Sequence, residues 1–317
     1  MKKLSFTAVA LVILAVFSIL AVARSAFAWS QSVHAYVATE CLDLDNKFIA
    51  SYNAKMGSIV PDFFWHLRDR GWISDETAYL LHGPTEDGCE DDTTYFYRVA
   101  SSLLKPWNYR LKFFAKGIKT HVLADIKAHN ELDGYIVEWI PILAEKMAGD
   151  PMAEYTEELH LSLELAVDSL LVYFEGLRLN SLLISYTQAN FLEKAVIKAF
   201  NNPRLPPPRE GLDVSLEFKK YLSLMRVLEK AAALYAPCLI QGKVDEKLLN
   251  VLESSEFLDA ERELSDQALG LYFRVLAILV HYPEEIYQTL TGDGGGANWM
   301  NALDDVIDFC SDFDNCP

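Results

Sequence analysis

The stretch THVLADIKAHN, residues 120–130, decides how the chain is read. It places His121, Asp125 and His129 at successive steps of four. On an α-helix such positions share one face, each about 40° round from the last. The stretch lies inside Leu103–Asn130, where apolar residues recur at three and four, the period of a half-buried helix. Imidazole nitrogens and a carboxylate oxygen are also the nitrogen and oxygen donors that zinc prefers. The bland alternative is a solvated helix face that carries two ordinary histidines.

Working outward, the same period runs through Tyr135–Ala148, Met152–Leu177, Leu182–Phe200, Val214–Tyr235 and Asp259–His281. No sustained alternation suggests a sheet, and no internal repeat is evident. The expectation is an all-α protein, a single multi-helix bundle. The proline-rich stretch NNPRLPPPREG, 201–211, is the best internal boundary. It reads as a surface loop within one bundle, because the segment after it is apolar enough to pack on the first half. GDGGGANW, 292–299, lacks the strand and helix that a phosphate-cradling loop needs, so it reads as a flexible connector.

The chain opens MKK, runs apolar from Leu4 to Ala23 and reaches Ala26-Phe27-Ala28. That is the pattern of a signal peptide, 1–28, with a domain spanning 29–317 and a secreted or periplasmic destination. Cleavage after Ala28 would make Trp29 the first residue. An uncleaved membrane anchor is the alternative, since the apolar run is long enough to span a bilayer. Losing the leader removes Lys2, Lys3 and Arg24 and no acid, so the formal charge deepens from −17 to −20. That disfavours simple electrostatic capture of nucleic acid or anionic lipid, and no stable nucleic-acid partner is expected. A polyanionic substrate is still allowed, because bound divalent metal reverses the field locally. Of five cysteines, Cys41, Cys89, Cys238, Cys310 and Cys316, none has metal-type spacing. They read as structural staples, with Cys310 and Cys316 near enough to close a small loop.

Three further stretches carry candidate donors. ELHLSLEL, 158–165, repeats the step of four with His160 and Glu164. Two facing helices that present such residues are how multi-carboxylate, multi-histidine metal sites are built in bundles. GSIVPDFFWHL, 57–67, sets Asp62 after a proline among aromatic residues, where an aspartate caps a helix or serves a site. His66 follows by four and is a candidate to join it, while Phe63, Phe64 and Trp65 read as core before pocket lining. His82, before Gly83 and Pro84, marks a helix end. His281 reads as structural. Finally AFAWSQSVHAY, 26–36, puts His34 five residues after Trp29.

The order Trp29, His34, Asp62, a histidine, HxxxD, a histidine and HxxxE resembles the zinc-dependent phospholipase C family. That family shares an all-helical fold with the single-strand-specific zinc nucleases. The resemblance implies two to three zinc ions. Trp29, through its freed α-amine and carbonyl, would hold one together with His34 and a bridging Asp125. Asp62, His82 and His121 would hold a second, with Asp125 shared, and His129, His160 and Glu164 a third. Here the step from Asp62 to His82 is longer than the family's usual one, which leaves His66 as a rival ligand. No acid near the N-terminus matches the family's choline-contacting one, and Val214–Cys310 does not read as the β-sandwich of the toxin members.

The function implied is hydrolysis of a phosphodiester, a phospholipid head group first, with Asp62 orienting or deprotonating the attacking water. Peripheral membrane contact accompanies a lipid substrate. A single-strand nuclease or nucleotidase on the same fold is the nearest alternative. A non-catalytic helical metal-binding protein is the more distant one.

Overall fold

The computed structural model describes residues 31–44, 47–83, 95–129, 135–154, 156–176, 182–245, 248, 274–275, 277–292 and 299–311. Among these the regular structure is helical, with no strand, as expected. The helices are α1 (Gln31–Glu40), α2 (Phe48–Ser58), α3 (Val60–Asp69), α4 (Asp75–His82), α5 (Tyr95–Ser101) and α6 (Tyr109–His129). They continue as α7 (Tyr135–Lys146), α8 (Thr156–Glu175), α9 (Tyr186–Ala199), α10 (Val214–Gln241), α11 (Pro283–Thr291) and α12 (Trp299–Ser311). A 3-10 turn, Pro151–Glu154, precedes α8.

Local chemistry sets several boundaries. The helix expected from Leu103 begins only at Tyr109, because Pro106 disfavours helical backbone at Lys105 and residues 102–108 form turns. Ser74 caps α4 by accepting from the backbone N–H of Thr77 at 3.2 Å. Ser185 and Gln188 cap α9 reciprocally, a full capping box. Asp213 starts α10, accepting from Leu216 N–H at 2.9 Å, and Gly242 ends it in the left-handed region at φ 62°. The 201–211 stretch runs as turns between α9 and α10, and the Arg209 N–H donates to Trp72 O at 2.8 Å. Most of Asp259–His281, all but the first and last residues of 292–299, and Trp29 lie outside the described residues.

The cysteine expectation is corrected in part. Cys41, Cys238 and Cys310 are buried and carry free thiols. Cys310 tucks its sulfur under α6, 3.9 Å from Thr120 O. Cys89 and Cys316 lie outside the described residues.

Helix α6 is the axis of the fold, buried on nearly every side from Leu111 to Ala128. Its N-terminal half, with Leu111, Phe114 and Ile118, belongs to an apolar cluster built with α3, α4, α5, α9 and α10. Its C-terminal half, Val122 to Ala128, belongs to a second cluster built with α1, α7, α8, α10 and α12. His121 stands at the join. Helix α2 meets α6 backbone to backbone, which glycine alone permits. A Cβ at Gly57 would lie 1.9 Å from Phe114 O, and one at Gly117 would lie 2.1 Å from Ala54 O.

Helix α3 is pinned to α10 by a polar contact inside the first cluster. His66 turns its ring away from Asp62, and its Nε2 faces the Glu217 carboxylate at 3.8 Å. The ring sits 5.5 Å from that of Tyr221. Arg70 Nε at 3.5 Å and Lys220 Nζ at 2.9 Å approach the same carboxylate. The described donor group around Asp62 contains His82, the favoured candidate, and not its rival His66. Phe63 and Phe64 are fully buried core residues. Trp65 is only partly buried, and its ring lies 5.3 Å from that of His82.

Two outcomes follow from this packing. Gly117→Ala should lower the unfolding free energy by ~1–3 kcal/mol, because the clash is with backbone that cannot swing aside. Denaturant titration measures it, and an unchanged midpoint would contradict the tight α2–α6 contact. The second concerns acid. Burial favours the neutral acid at Glu217, but His66, Lys220 and Arg70 outweigh it and hold its pKa at about 2. An unfolded glutamate titrates near ~4.3. The pairing therefore stabilises the fold above that value and is lost as pH falls toward about 2. Glu217→Gln should flatten the decline of unfolding free energy through that window, and an equally steep decline in the variant would refute the assignment.

Candidate metal centre

Three helix ends and two helix faces build the centre. Helix α3 starts one residue after α2 ends, with Pro61 in its first turn and Asp62 beside it. This short junction brings Asp62 and the last carbonyl of α2, that of Ser58, to one place. The final carbonyls of a helix have no partner within it. Ser58 O uses its free position to accept from His121 Nδ1 at 2.6 Å. At the end of α4, His82 Nδ1 likewise donates to Gly83 O at 2.9 Å. A carbonyl only accepts, so in both rings Nδ1 carries the proton, and in a neutral ring Nε2 presents a lone pair.

Those two Nε2 atoms face each other. His82 Nε2 and His121 Nε2 are 3.1 Å apart. Asp62 Oδ1 lies 3.3 Å from the former and 3.7 Å from the latter. Asp125 Oδ2 lies 3.3 Å and 3.2 Å from the same two nitrogens. The other oxygen of Asp125, Oδ1, lies 3.2 Å from His34 Nε2, and the His34 ring stacks on that of His121 at 3.7 Å. Asp125 thus spans two groups of donors, His34–His121–Asp125 and Asp62–His82–His121. One turn further along α6, His129 meets α8: His160 Nε2 is 2.8 Å and His129 Nε2 3.4 Å from Glu164 Oε1, a third group.

The first two groups lie inside the protein, while His129 and His160 of the third are partly exposed. His34, Asp62, His121 and Asp125 are at most 1 % exposed. Burial and the neighbouring His121 push the His34 imidazole down, which keeps it a neutral donor. Burial works against ionisation of Asp125, but His121 and His34 outweigh it and hold the carboxyl well below the usual range. His121 is pushed up: burial opposes its charge, and Asp125 and Asp62 more than offset that. In the third group, burial and His160 hold His129 down to about 3. His160 is raised by the Glu164 carboxylate against the effect of burial, and burial raises Glu164.

A cation fits this arrangement. Both ring nitrogens of His34, Oδ1 of Asp62, both oxygens of Asp125, Nε2 of His129 and Oε2 of Glu164 are buried without a hydrogen-bond partner among the described residues. Unpartnered buried carboxylates are costly, and convergent lone pairs repel unless a positive charge lies among them. Nitrogen and carboxylate-oxygen donors, three to a group, suit zinc, whose catalytic sites keep a position open.

Two residues absent from the sequence reading hold the centre's first helix. Gln31 is buried at the start of α1, and its Nε2 donates to Asp62 Oδ2 at 2.6 Å. Asp168 of α8 caps α1, accepting from the N–H groups of Ser32 at 3.0 Å and Val33 at 3.2 Å. Neither had a motif to betray it: Gln31 is neutral, and Asp168 acts across 136 positions of chain.

Of the residues picked from sequence, His34, Asp62, His82, His121, Asp125, His129, His160 and Glu164 are brought together, and Trp29 lies outside the described residues. Comparison with curated proteins and with solved structures returned no match. A family model described as zinc dependent phospholipase C matches residues 33–205, more than half of the chain and every described donor named above. The chain therefore belongs to the zinc-dependent phospholipase C family.

Proposed function

We propose that the chain is an exported zinc phosphodiesterase that cleaves the head group from a phospholipid. The observation that carries this is the run of three adjacent donor groups, the first two joined through His121 and Asp125. One closed structural zinc site needs four donors; eight described side chains converge here. His34 and Asp125 would hold one ion together with the amine and carbonyl of Trp29, freed by cleavage after Ala28. Asp62, His82 and His121 would hold a second, and His129, His160 and Glu164 a third. Helix α1 begins two residues after Trp29 and is tied to Asp62 and Asp168, which supports a processed N-terminus at the centre.

Zinc supplies Lewis acidity: it neutralises charge on the phosphoryl oxygens and acidifies water. The chain's own residues do the rest. Asp62, whose Oδ1 has no hydrogen bond, would orient or deprotonate the attacking water. The P–O bond to the leaving diacylglycerol oxygen breaks as the water–phosphorus bond forms, and the leaving oxygen takes up the proton that the water has lost. The buried walls of the centre exclude bulk water and strengthen these interactions. No helix among the described residues is long and apolar enough to cross a membrane.

Elemental analysis of protein shown by mass to begin at Trp29 should give two to three zinc ions per chain. His121→Ala, which belongs to two groups, should lose more than one of them. A single added N-terminal residue should remove the ion that needs the free amine. Zero or one zinc, unchanged by either alteration, would leave a helical protein with coincidental spacing. Separately, release of phosphocholine from mixed micelles should far exceed digestion of single-stranded DNA. The reverse preference would make the protein a nuclease on this fold.

A further inference from the structure

The two oxygens of Asp62 are treated differently by the protein. Oδ2 is held by Gln31 Nε2 at 2.6 Å. Oδ1 has no hydrogen bond and faces the lone pairs of His82 and His121. The amide can lie only one way round, because a carboxylate accepts and the amide nitrogen is the donor. The other end of the amide, Gln31 Oε1, is then a buried acceptor without a partner among the described residues. Gln31 itself is 4 % exposed at the first residue of α1. A packing residue in that position needs no amide. The donor that satisfies Oε1 is not among the described residues.

We propose that Gln31 is a positioning residue that makes Asp62 a one-oxygen donor to the metal. Tying down Oδ2 keeps the carboxylate from folding both oxygens onto one ion and so keeps a coordination position open. The clamp on α1 supports this role. Asp168 fixes the N–H groups of Ser32 and Val33, so the backbone from which Gln31 extends does not slide along α3. Outer hydrogen bonds of this kind orient metal ligands and tune their affinity. The inference rests on the reading that Asp62 belongs to a zinc centre, and the test separates the two.

The experiment compares the unaltered protein with Gln31→Met, Gln31→Glu and His121→Ala. Zinc affinity is measured by competition with a chromophoric chelator. The visible spectrum is recorded with cobalt(II) in place of zinc, since its bands weaken as coordination number rises. Gln31→Met keeps size and apolar character but loses the donor. It should weaken the affected zinc by about 10–100-fold and lower the cobalt absorption. Gln31→Glu, which sets a second carboxylate against Asp62, should change both readings as well. A general loosening of α1 would weaken affinity without changing the spectrum. An unchanged spectrum, or affinity within a few-fold of the unaltered protein, overturns the proposal. If one variant does not fold, the other decides by the same two readings; if neither folds, Gln31 is a structural residue and the proposal falls. Loss of zinc in His121→Ala with no effect at Gln31 would reject the positioning role alone. No effect of His121→Ala would reject the zinc centre itself.

Discussion

The structure depends on a contact that proteins ordinarily avoid: two imidazole nitrogens facing each other, with a carboxylate on either side, in a buried place. His82 and His121 meet Nε2 to Nε2 at 3.1 Å between Asp62 and Asp125. With both rings neutral their lone pairs and the two carboxylates repel one another unless a positive charge, a proton on His121 or a cation, lies among them. The surrounding helices hold it in place regardless. Ser58 and Gly83 fix the two tautomers through backbone carbonyls. The glycine contact between α2 and α6 sets how far Ser58 stands from His121. The junction of α2 and α3 delivers Asp62. Helix ends, normally sites of unmet hydrogen bonds, here supply the outer partners of the ligands.

Much of this was legible from the chain because the relevant spacing was local. A step of four on a helix survives any arrangement of the helices around it, so His121–Asp125–His129 and His160–Glu164 could be grouped without knowing the fold. The all-α class followed from the same periodicity. The short helices α1 to α5 were harder, because seven to eleven residues span only two or three turns, too few for a period to declare itself.

Legibility failed where the deciding partner was remote. His66 stands at the same step of four from Asp62 that marks true pairs elsewhere, and local reasoning left it a rival to His82. Its direction is set by Glu217, Arg70 and Tyr221, two of them on a helix some 150 residues downstream. Gln31 escaped for a different reason. A neutral amide carries no metal-ligand signature, and its importance exists only in relation to Asp62. Asp168 is an ordinary acid on a helix until α1 is laid across it.

The long reach of Asp168 bears on how the chain acquires its centre. The N–H groups of Ser32 and Val33 in the first turn of α1 are met by Asp168, which lies 136 positions from Ser32. His34 therefore reaches its place beside Asp125 only after α8 has been made and has docked. Contacts of this separation form late, since loop closure has to precede any gain from them. A nascent chain carries the HxxxDxxxH helix early and the remaining donors in scattered order. A metal that binds the assembled centre and not the unfolded chain would add its affinity directly to the stability of the finished fold.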